Sequence, residues 1–304
     1  QEIPRVADSV TVLRDGKLVG TIPVREATPE RIANLMVGEE WARADASRVT
    51  VTAVQPQVIL SVRNLTRGRV LHNVSFDLHA GEVLGVAGLM GSGRTELVRA
   101  VFGLDPVDSG TIMVAGKPIL HPNPVEMKQL GVGLTPEDRK AEGLVLALSV
   151  EDNLTLSAFE RISHHQVLSL RSRRSLAQQM VHALSIQTPS IQAKVVTLSG
   201  GNQQKVVIGK WLNSQARVLL MDEPTRGVDI QAKEQVYDLM RQLAKQGIGI
   251  VFISSELEEV LNVSDRILVM NRGQIVAKMP AAQARLEEVL ALAMRENVNE
   301  EALT

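Results

Sequence analysis

The sequence predicts an α/β core with a helical insertion, and three observations carry that prediction. Short apolar strands alternate with segments of helical spacing. One buried-type strand, Val83-Leu84-Gly85-Val86-Ala87, runs straight into a glycine-rich turn and then a helix. A long stretch, residues 149–187, is mostly helical in character and interrupts the strand–helix alternation.

Taken in order, Ile59 to Val62 and Val74 to Leu78 read as strands, the second with clean alternation. The strand at 83–87 follows, and Glu96 to Phe102 has helical spacing of its apolar residues. Residues 111–115 and 131–134 are further short strands. In the helical stretch Leu176, Met180, Val181 and Leu184 share one face. Asn202 to Leu212 is a helix, Val218 to Met221 a buried strand, 231–245 a helix and Ile248 to Ile253 another buried strand. Leu286, Val289, Leu290 and Leu292 form a helical stripe better suited to packing than to membrane contact.

A repeat is visible at the two ends. Val6 to Val19 and Val263 to Val276 both read as strand, glycine turn and strand, with Asp8/Asp265, Val12/Val269 and Gly16/Gly273 in one register. We therefore expect residues 1–41 to be the tail of a truncated first domain, 42–57 a linker without sustained periodicity, 58–296 a second domain and 297–304 a C-terminal tail.

Composition narrows the function. The 33 basic and 34 acidic residues nearly cancel, and two Trp, one Tyr and four Phe offer few stacking platforms, so a nucleic-acid surface is not expected. With no cysteine, disulfides, thiolate metal sites and cysteine nucleophiles are excluded. No apolar run approaches the roughly 20 residues needed to cross a bilayer, and no signal peptide opens the sequence. We expect a soluble, cytoplasmic chain that would serve a membrane only by docking on another subunit.

The chemistry concentrates in three segments. In Gly88-Leu89-Met90-Gly91-Ser92-Gly93-Arg94-Thr95 the glycines let backbone N–H groups face phosphate oxygens, and the following helix start adds a positive dipole end. Thr95 is placed to offer its hydroxyl to Mg²⁺, while Arg94 stands where this motif calls for lysine. In Leu198-Ser199-Gly200-Gly201-Asn202-Gln203-Gln204-Lys205, a hydroxyl and free N–H groups open a helix toward an anion, or serve only as its cap. The strand Val218-Leu219-Leu220-Met221 ends in Asp222, suited to holding Mg²⁺ through its hydration shell, and Glu223, suited to polarising an attacking water.

In this order the three motifs, followed by Gly227-Val228-Asp229, resemble the ATP-binding-cassette ATPases over roughly residues 58–280. Arg94, the stretch Pro136-Glu137-Asp138-Arg139-Lys140, the Asn-Gln-Gln-Lys ending and the tandem layout are similar to the second half of the monosaccharide importer ATPases. The resemblance implies a P-loop NTPase fold with an antiparallel β subdomain and a helical signature subdomain, using ATP and Mg²⁺. It implies catalytic roles for Glu223 and Ser255, and nucleotide contacts from Gly88, Gly91, Ser92, Gly93, Arg94, Thr95, Ser199, Gly200, Gly201, Gln203 and Asp229. Thr95 and Asp222 are the implied metal residues. The implied partners are a first cassette in the same or a second chain, transmembrane permease subunits and, indirectly, a periplasmic or extracellular solute-binding protein. The implied location is the inner face of the plasma membrane.

Departures from the family fall on one side. Ser255 stands where a histidine meets the γ-phosphate in the family, Asn64 to Leu71 holds no aromatic residue to stack on adenine, and no glutamine occupies the strand end near Thr135, where Glu137 is the candidate to take over. We expect this chain's own phosphate loop to bind nucleotide with little turnover, and its signature to complete the first cassette's site. Residues 136–140 are either a charged solvated turn or, as the resemblance implies, a segment sensing the membrane subunit. Arg171, Arg173 and Arg174 read as a solvated helix start, and His164-His165 as a loop. The other classes weighed are a soluble cassette ATPase acting on DNA or ribosomes, which would carry coiled-coil insertions or basic arms, and a non-hydrolysing regulatory module.

Overall fold

The computed structural model describes residues 7–14, 17–28, 31, 35, 55–165 and 167–295. Most of the expected linker (42–54), the 297–304 tail and the Gly16 turn lie outside these residues. In chain order the elements begin with β1 Ser9–Arg14, β2 Lys17–Pro23, β3 Val58–Arg67, β4 Leu71–His79, β5 Val83–Gly88, α1 Arg94–Phe102, β6 Ser109–Val114 and β7 Lys117–Ile119. Next come α2 Pro124–Gln129, β8 Val132–Thr135, α3 Val150–Thr155, α4 Phe159–Ile162, β9 Ser163–His164, β10 Val167–Leu168, α5 Leu170–Ala183 and α6 Gly200–Asn213. The last are β11 Val218–Asp222, α7 Ile230–Lys245, β12 Gly249–Ile253, α8 Leu257–Val263, β13 Arg266–Asn271, β14 Gln274–Pro280 and α9 Leu286–Met294.

The central sheet has the order β14-β13-β5-β12-β11-β8 and is parallel except for its β13–β14 edge. Strands β5, β11 and β12 are buried at every position. This is why they read as continuous apolar runs: helices cover both faces of a parallel sheet. A second, antiparallel sheet has the order β4-β3-β6-β7. Both sheets share one hydrophobic core with α1 and α6 to α9. The helical part packs α6 against α3 and α5.

Two differences from the sequence reading have local causes. Strand β3 continues beyond Val62 to Arg67 because Asn64 takes φ +52° and bulges the strand, its N–H donating to Ser75 Oγ at 2.8 Å. The helical stretch at 149–187 is broken by a two-residue hairpin, β9–β10, where Ser163 turns extended and His165 takes φ +49°. The apolar stripe at 286–292 is confirmed as packing, with Leu286, Val289 and Leu290 buried in α9 near β13.

The terminal hairpins match in detail. Ser9 pairs with Pro23 as Arg266 pairs with Pro280, and each hairpin has its irregularity at the same step, Val12/Leu13 and Val269/Met270. Each then enters a 3₁₀ turn, Val24–Glu26 and Ala281–Gln283. Val24 N–H donates to Asp8 O at 2.9 Å, as Ala281 N–H donates to Asp265 O at 3.0 Å.

Candidate active site

The phosphate loop leaves the buried end of β5 and enters α1. Gly91 and Gly93 take φ +78° and +97°, conformations that L side chains avoid, so the loop can curl back on itself. Gly273 N–H donates to Ser92 O at 2.9 Å, tying the loop to the β13–β14 turn. Helix α1 has no side-chain cap, and its first N–H groups remain available to an anion. Ser92 is buried and its Oγ has no hydrogen-bond partner.

Residues 88–96 line an open cleft of about 840 Å³ together with Glu137, Glu223, Arg226, Ser255 and residues of α8 and α9. The structure thus gathers the whole expected phosphate loop with both expected catalytic residues. A smaller pocket of about 230 Å³ adjoins it, lined by Thr95, Asp222, Glu137 and Arg226 among others.

Three of these side chains engage one another. Arg94 Nη1 donates to Ser254 O at 2.5 Å, and its Nη2 lies 3.9 Å from Glu223 Oε1. Ser255 Oγ donates to the other carboxylate oxygen, Glu223 Oε2, at 3.1 Å. Burial pulls the Arg94 guanidinium below its ordinary value, and the charges of Glu223, Asp222 and Glu96 offset part of this. Glu223 itself takes φ +47°, while its N–H extends the sheet by donating to Ile253 O at 3.0 Å.

Asp222 is buried and its Oδ1 has no partner. Burial pushes its carboxyl up to about 6 despite a hydrogen bond with Thr95, with Glu223 raising it further. A buried carboxylate oxygen left without a donor beside a hydroxyl fits Mg²⁺, which keeps most of its waters and needs few protein groups. His165 is exposed, and among the described residues no group of three or more His, Cys, Asp or Glu could hold a metal.

The signature does not line this cleft. Ser199 is the exposed N-cap of α6, its Oγ accepting from Asn202 Nδ2 at 2.9 Å. Asp229 caps α7, accepting from Ala232 N–H at 3.0 Å. Gln203, expected as a nucleotide contact, faces inward in this structure. It is buried, and its Nε2 donates to Val195 O at 3.3 Å and Leu198 O at 3.2 Å, bracing the turn before Ser199 from beneath.

Residues 136–143 are not a solvated turn throughout. Asp138 accepts from the N–H groups of Lys140 and Ala141, starting a single π-helical turn at Arg139–Gly143. Arg139 is buried, and Glu137 pairs with Arg226.

One residue escaped the sequence reading. Glu259 is buried and accepts from Thr225 Oγ1 and Ser254 Oγ, both at 2.7 Å, and from Lys233 Nζ at 2.8 Å. Burial alone would raise its carboxyl, but hydrogen bonds from Lys233, Tyr237, Ser254 and Thr225 hold it below the usual value. It ties the loop after Glu223 to the loop carrying Ser255. Its one sequence signal was an acid on the otherwise apolar face of α8.

Comparison with known proteins agrees with this geometry. The ABC transporter family profile matches residues 71–226. The chain is 47% identical, over 96% of its length and 58% of the relative's, to "Ribose import ATP-binding protein RbsA 1" of Rubrobacter xylanophilus. It is 45% identical to "Putative ribose/galactose/methyl galactoside import ATP-binding protein 1" of Burkholderia lata, over 96% of the chain and 57% of that protein. It therefore spans little more than half the length of these curated relatives. Among solved structures, a nucleotide-free cassette from an ABC transporter matches with TM-score 0.64 and 24% identity, over 74% of this chain and 92% of that one. A dimeric bacterial ABC transporter cassette matches with TM-score 0.64 and 21% identity, over 73% and 99%. Profile, relatives and fold converge with the cleft at 88–96 and the acids at 222–223: the chain belongs to the ABC transporter family and carries one of its ATP-binding cassettes.

Proposed function

We propose that this chain is the ATP-binding, ATPase part of an importer for a monosaccharide or sugar-like solute. The observation that carries the ATP reading is the acid pair at the end of β11. Asp222 lies buried beside Thr95, and Glu223 lines the same cleft as the phosphate loop. Thr95 and Asp222 would hold Mg²⁺, which neutralises phosphate charge when bound. Glu223 would hold the attacking water, and the N–H groups of the loop and of α1 would orient the phosphates. The solute class follows the relatives' names alone.

The finer reading is asymmetric. Arg94 spends its guanidinium on Ser254 O and on Glu223, and Ser255 supplies a neutral hydroxyl to the same carboxylate. Two groups that would stabilise phosphate charge are thus engaged with the base instead. At the start of α6, Ser199 is exposed and Gly200 half-buried, with Gly201 buried beneath them, and this helix start would complete a site on another cassette. The matching hairpins support a duplicated chain in which residues 1–41 close a first cassette, 42–57 link, 58–296 form the second and 297–304 trail it. Partners in this reading are that first cassette, permease subunits and a solute-binding protein reached through them, with no nucleic acid. The chain would work in the cytoplasm on the inner face of the plasma membrane; no helix among the described residues is long and apolar enough to cross it.

The experiment is Mg-ATP binding and steady-state hydrolysis by the purified chain, with Glu223→Gln as control. Binding without turnover is expected. Turnover abolished by Glu223→Gln would sink the asymmetric reading, and no ATP binding at all would sink the ATPase reading.

A further inference from the structure

Arg139 occupies an unusual position for a cation. It is 8% exposed, and its Nη1 donates to Arg226 O at 2.5 Å and its Nη2 to Gly227 O at 3.2 Å. No ion pair balances it among the described residues; burial lowers its basicity, and Asp138 acts on it only through charge. Its Nε is buried without a partner. On its other side lies the signature: a Cβ on Gly200 would stand 2.7 Å from Arg139 Nη2 and 3.0 Å from Gly227 O. A side chain at 200 would therefore displace this guanidinium and crowd the 227 carbonyl.

The segment around Arg139 is fastened at both ends. Glu137 pairs with Arg226, whose carbonyl Arg139 also holds. Gly143 O accepts from Lys210 Nζ, on α6, at 2.8 Å. One short turn therefore touches the loop between Glu223 and Asp229, the first residue of the signature helix and the body of that helix.

A buried charge held only by backbone carbonyls is poorly compensated, and a hydrophobic side chain of similar volume would commonly serve the fold as well. The arginine is better explained by what its fork holds in place. We infer that Arg139 is a positioning residue. It locks the 136–143 turn to the 225–229 loop and to Ser199–Gly201, so that displacement of the turn moves both loops together. The functional consequence rests on the reading that this chain pairs with a second cassette. The two loops would present their groups to the partner's nucleotide only while Arg139 holds them in register.

Hydrogen exchange on the purified chain tests the geometry, comparing wild type with Arg139→Met and Arg139→Lys. In Arg139→Met, exchange within 199–203 and 226–229 should rise about tenfold or more, with 83–102 unchanged. Arg139→Lys should restore part of the protection, since one carbonyl can still be reached. Unchanged exchange in either loop, or a uniform rise that includes β5 and α1, would overturn the inference. If Arg139→Met fails to fold, Arg139→Lys carries the test by the same criterion.

A second arm uses the two-cassette assembly. There kcat should fall about tenfold or more in Arg139→Met, while affinity of the purified chain for a fluorescent ATP analogue stays within about twofold. Equal loss of both would overturn the positioning role. An assembly whose wild type shows no ATP turnover would sink the functional reading and leave the exchange result to decide the role of Arg139.

Discussion

Ser255 Oγ donates to Glu223 Oε2 at 3.1 Å, so the residue standing in a histidine's place is joined to the carboxylate that would activate water. With Arg94 Nη2 at 3.9 Å from the other oxygen, the base is engaged on both sides by groups that would otherwise serve phosphate. Replacing both, by Arg94→Lys with Ser255→His in the two-cassette assembly, should raise turnover at this chain's own loop about tenfold or more. Steady-state kcat with the first cassette's base disabled is the readout. No gain from either change or from both would count against the asymmetric arrangement.

Asp222 is proposed to act on Mg²⁺ through its hydration shell. Asp222→Asn should leave metal-free ATP binding nearly intact and reduce the strengthening of binding by Mg²⁺ roughly tenfold or more. Calorimetric titration with and without Mg²⁺ separates the two. A Mg²⁺ dependence identical to wild type would remove Asp222 from the metal site.

Removing one member of a buried charge network leaves the rest uncompensated. Glu259→Ala should therefore destabilise the chain by about 3 kcal/mol, seen as a lower urea midpoint, because Lys233, Thr225 and Ser254 lose their shared acceptor. Glu259→Gln, which keeps an acceptor oxygen, should lose less. Equal stability of wild type and Glu259→Ala would show that the network is not stabilising.

Lys210 gives a pH dependence with a definite sign. Burial pulls its amine down to about 8, while in the unfolded chain it titrates near its ordinary value. Between those two values the unfolded state binds more protons, so this group makes stability rise with pH through that window. Below about 8 the full burden of the buried charge is present. Thermal midpoints of wild type and Lys210→Met, followed from pH 7 to pH 10, should show the wild type gaining on the variant as pH rises. A constant difference would mean that Lys210 is not titrating within the fold.

What could be read in the sequence was local. The strand, glycine turn and helix at 83–102, the signature helix and the acid-ended strand β11 each signal themselves within a few residues, and each stands within a residue or two of its expected bounds. What could not be read depends on distant partners. Gln203 turns inward because the Val195 and Leu198 carbonyls lie beneath it. Arg139 is buried because two carbonyls from 226–227 reach it, and no periodicity in 136–140 encodes that. Strand β3 runs past Val62 to Arg67 through a bulge at Asn64, pinned by Ser75, and the bulge breaks the alternation that marks a strand in sequence.

The repeated hairpin poses a problem of self-recognition. Strand β13 pairs with β5, the strand that carries the phosphate loop, and β1 has the same length and irregularity as β13. The first hairpin thus has the geometry to compete for β5 during folding from within the same chain. The two differ where it counts. Leu268 in β13 is 1% exposed, whereas the corresponding position of the first hairpin is Thr11, whose Oγ1 lies 3.0 Å from that of Thr21 across the strand pair. Docking β1 on β5 would bury that hydroxyl in the apolar slot that Leu268 fills. Thr11 would therefore bias β5 toward its proper partner, and Thr11→Leu would weaken that bias without touching the nucleotide cleft.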